Sequence, residues 1–115
     1  MKMIVAMIEP HKLPDVKQAL YDVDVNAMTV TNALGCSKTQ EALTETYRGV
    51  DQEMYLFKKV RIEIAVNEDF VERTIDAIMQ SAHIEGSARN HGMIFVFELF
   101  DAIRITGERG EQALR

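Results

Sequence analysis

The chain has 115 residues, of which 47% are hydrophobic and 27% charged, and its formal net charge is −5. This size and balance predict a single domain over residues 1–115 that buries a core unaided, and the acidic balance argues against a nucleic-acid partner, which needs a basic face. Cys36 is the only cysteine, so no intrachain disulfide forms, and the apolar run Met3–Ile8 is too short for a signal-peptide core or a membrane span. The expected location is the cytoplasm.

Residues 1–9 read as a buried strand closed by "EPHKLP", in which Pro14 suits the first turn of a helix. Leu13, Val16, Leu20 and Val23 then recur at helical spacing. "AMTVTNALG", residues 27–35, is β-branched and stops on glycine, which predicts a second strand. Residues 36–57 mix charge, polarity and aromatics without a period; so long a connection in a small domain is uncommon and tends to be functional. "VRIEIAV", residues 60–66, alternates, with Val60, Ile62, Ile64 and Val66 on one face. A helix follows, with Phe70, Val71, Thr74, Ile75, Ile78, Met79 and Ala82 as its apolar stripe; Asn67 stands where a cap belongs, and Glu68 and Asp69 suit the positive helix end. The glycine-flanked loop in "EGSARNHGMIFVFEL" leads into a further strand, and "AIRITG" predicts a short C-terminal strand and tail over 102–115.

Strand–helix–strand, long loop, strand–helix–strand is the order of two βαβ units. They interleave as an α+β, ferredoxin-like sandwich, an antiparallel sheet with both helices on one face. The other face needs cover, and copies of the same chain are the expected cover.

"MKMIVAMIEPHKLPDVKQAL", "MTVTNALG", "TETYRG" and "KKVRIEIAV" occur in an order and at spacings that resemble the PII signal-transduction family, from about Met1 to Gly107. The resemblance implies a homotrimer that binds adenine nucleotides in clefts between subunits. It also implies a T-loop, here residues 36–57, that reaches a membrane transporter or metabolic enzyme, and a phosphate-side B-loop, here 84–92. A regulator rather than an enzyme is implied. By position, Met28, Thr29, Gly35, Glu63 and Ala65 match the adenine and ribose end of the cleft, and the adjoining Cys36 and Ser37 are expected to bind the nucleotide as well. Gln40 matches a glutamine that binds Mg²⁺ and 2-oxoglutarate, and Lys59 a lysine that pairs with that acid's carboxylate. The tyrosine that is uridylylated in some members aligns with Gln52; Tyr47 stands elsewhere in "TETYRG".

The departures concern phosphate. The family's B-loop is similar to T-G-x-x-G-D-G-K-I-F, whereas "IEGSARNHGMIF" is longer, keeps Gly92 and places Met93 at the lysine. Downstream, "RITG" keeps Arg104 and lacks the second arginine of R-I-R-T-G. A charge-assisted phosphate contact contributes roughly 1.5–3 kcal/mol. The losses therefore predict a nucleotide loop retuned toward ADP or AMP over ATP, with Arg89 a candidate substitute cation. Other readings are a specialised sensor of nucleotide plus bicarbonate or another small anion, a metal-efflux or transport regulator, and a small ferredoxin-like enzyme. The last is disfavoured because no nucleophile–base pair stands out.

Simpler roles are expected for several residues. His11, His83 and His91 lack metal-ligand spacing and read as surface or loop residues. Cys36 and the methionines read as packed apolar groups. Arg104, set in the apolar run "AIRI", reads as a buried cation whose partner is a ligand phosphate or a structural carboxylate; the resemblance favours phosphate. The acidic Glu41, Glu45, Asp51 and Glu53 serve either solvation or partner recognition.

Overall fold

A computed structural model describes residues 1–37, 45–46, 55–86 and 92–115. Gln40, Tyr47, Gln52, Arg89, His91 and the greater part of the expected T-loop and B-loop lie outside the described residues.

Strands β1 (Lys2–Ile8), β2 (Thr29–Ser37), β4 (Tyr55–Val66) and β5 (Gly92–Glu98) form an antiparallel sheet in the order β2-β4-β1-β5, and the short β3 (Glu45–Thr46) pairs with the far end of β4. Helices α1 (Leu13–Asp22) and α2 (Val71–Ala82) pack together over one face, each preceded by a single 3₁₀ turn. This is the expected ferredoxin-like α+β arrangement.

The apolar alternation explains the layering. Ile4, Ala6 and Ile8 of β1 and Val60, Ile62, Ile64 and Val66 of β4 point to the helices, where Val16, Leu20, Val71, Ala77, Ile78 and Ala82 meet them. Each fully buried aliphatic contributes about 1.5–3 kcal/mol. Among the described residues Thr74 is the one polar side chain in the centre of this layer; its hydroxyl donates to the Phe70 carbonyl at 2.6 Å, which satisfies it.

Several expectations are corrected. Strand β2 continues through Cys36 and Ser37, and β4 starts at Tyr55, so both ends of segment 36–57 are paired strand rather than loop. Residues 102–115 form no strand. They make a turn closed by one bridge, Ile103 to Arg109, and then a 3₁₀ helix, Gly110–Leu114, that buries Ala113. Asn67 sits at the cap position with extended backbone but does not cap; its Nδ2 donates to the Glu111 carbonyl at 3.2 Å, tying α2's entrance to the tail. Cys36 is exposed, near the end of the edge strand β2. Met79 and Met93 are also more than half exposed, on the outer sides of α2 and β5.

Candidate functional site

The sheet face away from the helices remains open. The period of a strand puts Lys59, Arg61, Glu63 and Ala65 of β4 on it, beside Ala33, Thr31 and Thr29 of β2 and Met7, Val5 and Met3 of β1. Met93, Phe95 and Phe97 of β5 extend the same face and are about half exposed. Apolar and charged residues therefore share a face that no helix covers, with Val5 and Lys59 buried among their neighbours on it.

The charged groups on it are already matched. Lys59, only 8% exposed, donates from Nζ to Glu9 Oε1 at 2.6 Å and lies 5.7 Å from the centre of the Phe57 ring. Arg61 reaches Glu63 at 3.4 Å along the same strand. Sequence reading found Lys59 and Glu63 but neither of their partners, since Glu9 lies 50 residues from Lys59 and nothing in "KKVRIEIAV" marks Arg61 as a partner of Glu63.

Two glycines shape one end of this face. Gly35 is paired with Phe57, whose ring covers the glycine so closely that a Cβ would overlap it. Gly92 opens β5 with φ +145°, and a Cβ there would fall on the Met7 carbonyl oxygen. Only glycine permits both the left-handed backbone and the approach of β5 to β1. Beside Gly92 an apolar cavity of about 330 Å³ is walled by Met7, Ile78, Met79, Ala82, His83 and Met93.

The opposite end holds Arg104, and the expectation of a buried cation is corrected there. Arg104 is exposed, and it donates from Nε to the Ala113 carbonyl at 2.8 Å and from Nη2 to the Arg115 backbone oxygen at 3.4 Å. The tail folds back beneath "AIRI" and supplies these oxygens, and the Arg104 charge also helps to lower the nearby Glu108 carboxyl, so the guanidinium sits among polar groups with no apolar enclosure. It lines a mixed cleft of about 680 Å³ with Asn26, Ala65, Asn67, Glu68 and Glu111. The buried Oδ1 of Asn67 has no hydrogen-bond partner among the described residues.

Carboxylates brace this end. The Arg109 guanidinium, 2.7 Å from Asp101, holds that carboxyl below the usual range, helped by the Ala102 amide. The Thr106 hydroxyl lowers Glu108 in the same way, and the Glu108 backbone amide adds to it. Glu68 is lowered by the N-terminal amine at 2.9 Å and then by Lys2, while Lys2 is raised by Glu98 and then Glu68.

The sequence-predicted site residues thus fall into two groups. Gly35, Cys36, Ser37, Lys59, Gly92 and Met93 gather toward one end of the sheet. Thr29, Glu63 and Ala65 stand farther along, with Met28 turned against the core, and Arg104 lies beyond Ala65. Gly92 shares a rung with Ile8 and Val60, and Ala65 a rung with Met3. At the strand rise, those rungs are roughly 16 Å apart.

The family model described as nitrogen regulatory protein P-II matches residues 1–109. The chain is 43% identical over 115 residues to nitrogen regulatory protein P-II of Rhodospirillum rubrum, covering 99% of this chain and 100% of the relative. Nitrogen regulatory protein P-II 1 of Escherichia coli is 41% identical over 115 residues, with the same coverage. Nitrogen regulatory protein GlnK1 of Methanosarcina mazei is 39% identical, with 99% of this chain and 97% of the relative covered. The chain belongs to the PII family of nitrogen regulatory proteins.

Proposed function

We propose that this regulator senses adenine nucleotides in clefts between the subunits of a homotrimer and acts through segment 36–57 on a membrane transporter or a metabolic enzyme. The observation that carries the reading is the division of the expected contact residues. Gly92 and Met93 mark one end of the sheet and Arg104 lines the cleft beside Ala65 at the other; the rungs of Gly92 and Ala65 are roughly 16 Å apart by strand rise, so one chain does not bring these residues around one phosphate group. A neighbouring copy that covers the open face supplies the missing half, and it removes Phe95 and Phe97 from water at the same time.

In this reading Gly92 lets backbone approach the phosphates, while Thr29, Glu63 and Ala65 meet the nucleoside. Arg104 exchanges its two backbone acceptors for phosphate oxygens, a charge-assisted contact stronger than a neutral one. Met93 offers no cation to a γ-phosphate. ADP or AMP is therefore the preferred cofactor, with Mg²⁺ and Gln40 assisting only where ATP binds. Lys59 receives the carboxylate of a small acid effector, for which 2-oxoglutarate and bicarbonate are the candidates.

Calorimetry with AMP, ADP and ATP tests the reading. ADP or AMP is expected to bind at least as tightly as ATP, and Met93→Lys to improve ATP selectively. Arg104→Ala is expected to weaken phosphate-bearing ligands by roughly 1.5–3 kcal/mol and adenosine by less. A tenfold preference of the wild-type chain for ATP, about 1.4 kcal/mol, overturns the reading of the retuned loop.

A further inference from the structure

We infer that Glu9 is a built-in competitor for Lys59: its carboxylate occupies the position an acidic effector must take, and so sets how much acid the site requires. The inference rests on the proposed role of Lys59 and adds to it a residue that the sequence did not single out.

The geometry leaves Lys59 little choice of partner. Its side chain is 9% exposed, the Phe57 ring stands 5.7 Å away, and Glu9 Oε1 holds Nζ at 2.6 Å. Phe57 is itself fixed over Gly35, which admits no Cβ beneath the ring. An incoming carboxylate that left Glu9 in place would add a net negative charge to a nearly buried neutral pair, which desolvation opposes. Exchange of one carboxylate for the other keeps the charge balanced. Displacement is the route of entry.

Glu9 is suited to leave. Its side chain is 31% exposed, against 9% for Lys59, so it can rotate into water while the lysine stays. Its backbone does not have to follow. Glu9 has extended dihedrals, φ −67° and ψ 136°, ahead of Pro10, and its carbonyl accepts from the Lys12 amide at 3.0 Å. The residue stands one step beyond the rung that joins Ile8, Val60 and Gly92, so its departure changes the charge at the end of the sheet where β5 begins. The other cation of this face, Arg61, is matched by Glu63 and does not substitute for Lys59.

The test is a calorimetric titration of 2-oxoglutarate into the full chain at saturating Mg-ATP, for wild type, Glu9→Gln, Glu9→Asp, Lys59→Ala and the Glu9→Gln/Lys59→Ala double variant. Glu9→Gln keeps a neutral acceptor beside the lysine and preserves the fold. It is expected to bind the acid at least tenfold more tightly than wild type, with Glu9→Asp between the two and the double variant without the gain. If Lys59→Ala abolishes wild-type binding while Glu9→Gln leaves it unchanged or weaker, the competitor role is overturned and Lys59 stands as the effector residue. If Lys59→Ala changes nothing in either background, or if no variant takes up the acid, the role of Lys59 toward 2-oxoglutarate falls and the inference with it. Melting temperatures of all five proteins separate these outcomes from loss of fold.

Discussion

Gly92 illustrates how a single backbone position can tie a loop to a sheet. Its φ of +145° and the Met7 carbonyl in the path of any Cβ make an L side chain there both strained and obstructed. Strain of this kind costs about 1–3 kcal/mol before any displacement of β5 is counted. Gly92→Ala is therefore expected to lower the unfolding free energy from urea titration by at least that amount, and to enlarge the spacing between β1 and β5 at Met7. Gly86, with φ +72° and nothing near its absent side chain, is the control, and Gly86→Ala is expected to show only the smaller backbone effect. Arg104 makes a different point at the same scale. Its position in an apolar run reads as burial, yet its surroundings are made by residues 113 and 115, whose turn back toward it leaves no periodic signal.

At the scale of elements, the strands and helices were legible where one face is buried. Val60, Ile62, Ile64 and Val66 alternate because the helices cover every second residue of β4, and the α2 stripe follows for the same reason. The outer part of β4, Tyr55–Lys59, was not legible. It pairs at the margin of the sheet, where nothing enforces alternation and Lys58 and Lys59 interrupt it. Pairings across long separations, such as Glu9 with Lys59 or Asn67 with Glu111, depend on register and not on composition. The core predicts its own measure: Ile78→Ala, at a side chain 1% exposed, is expected to cost about 2–5 kcal/mol in denaturant unfolding.

The C-terminal turn is an element held by charge. Asp101 and Glu108 have folded values below their ordinary ones of 3.8 and 4.5, so their contribution is present above those values and is lost as pH falls through the lower, folded values. The turn is expected to loosen below about pH 4. Hydrogen exchange at the Gly110 amide, bonded to Ala102 at 2.8 Å, and at the Arg104 amide, bonded to Glu108 at 2.8 Å, reads this directly. Protection that persists unchanged to pH 2 would show that packing of Ala113 alone holds the segment. Asp101→Asn is expected to lower this protection already at neutral pH and to remove the Asp101 share of its fall in acid.

For the whole molecule, the fold leaves an apolar strip that a lone chain would have to expose. Phe95 and Phe97 are 46% and 53% exposed on a face with no helix over it. A homotrimer is the expected assembly, and sedimentation that finds a stable monomer or dimer would contradict it. Phe97→Asp is expected to shift the wild-type species to smaller forms, with the far-UV spectrum retained because the helix-side core is untouched. Nucleotide affinity should fall together with assembly if the cleft is shared between copies.

The two-sided character of β4 also bears on how chain length can vary. Core residues Val60, Ile62, Ile64 and Val66 alternate with Lys59, Arg61, Glu63 and Ala65 on the open face. Deleting one residue inside 60–66 would exchange the two sets beyond that point and drive Arg61 or Glu63 under the helices. Deleting two would restore the faces but shift every later rung against β1, moving Ala65 away from Met3. Related chains should therefore differ in length before β4 or after it, and a library of random insertions and deletions should lose folded members almost entirely across this seven-residue window.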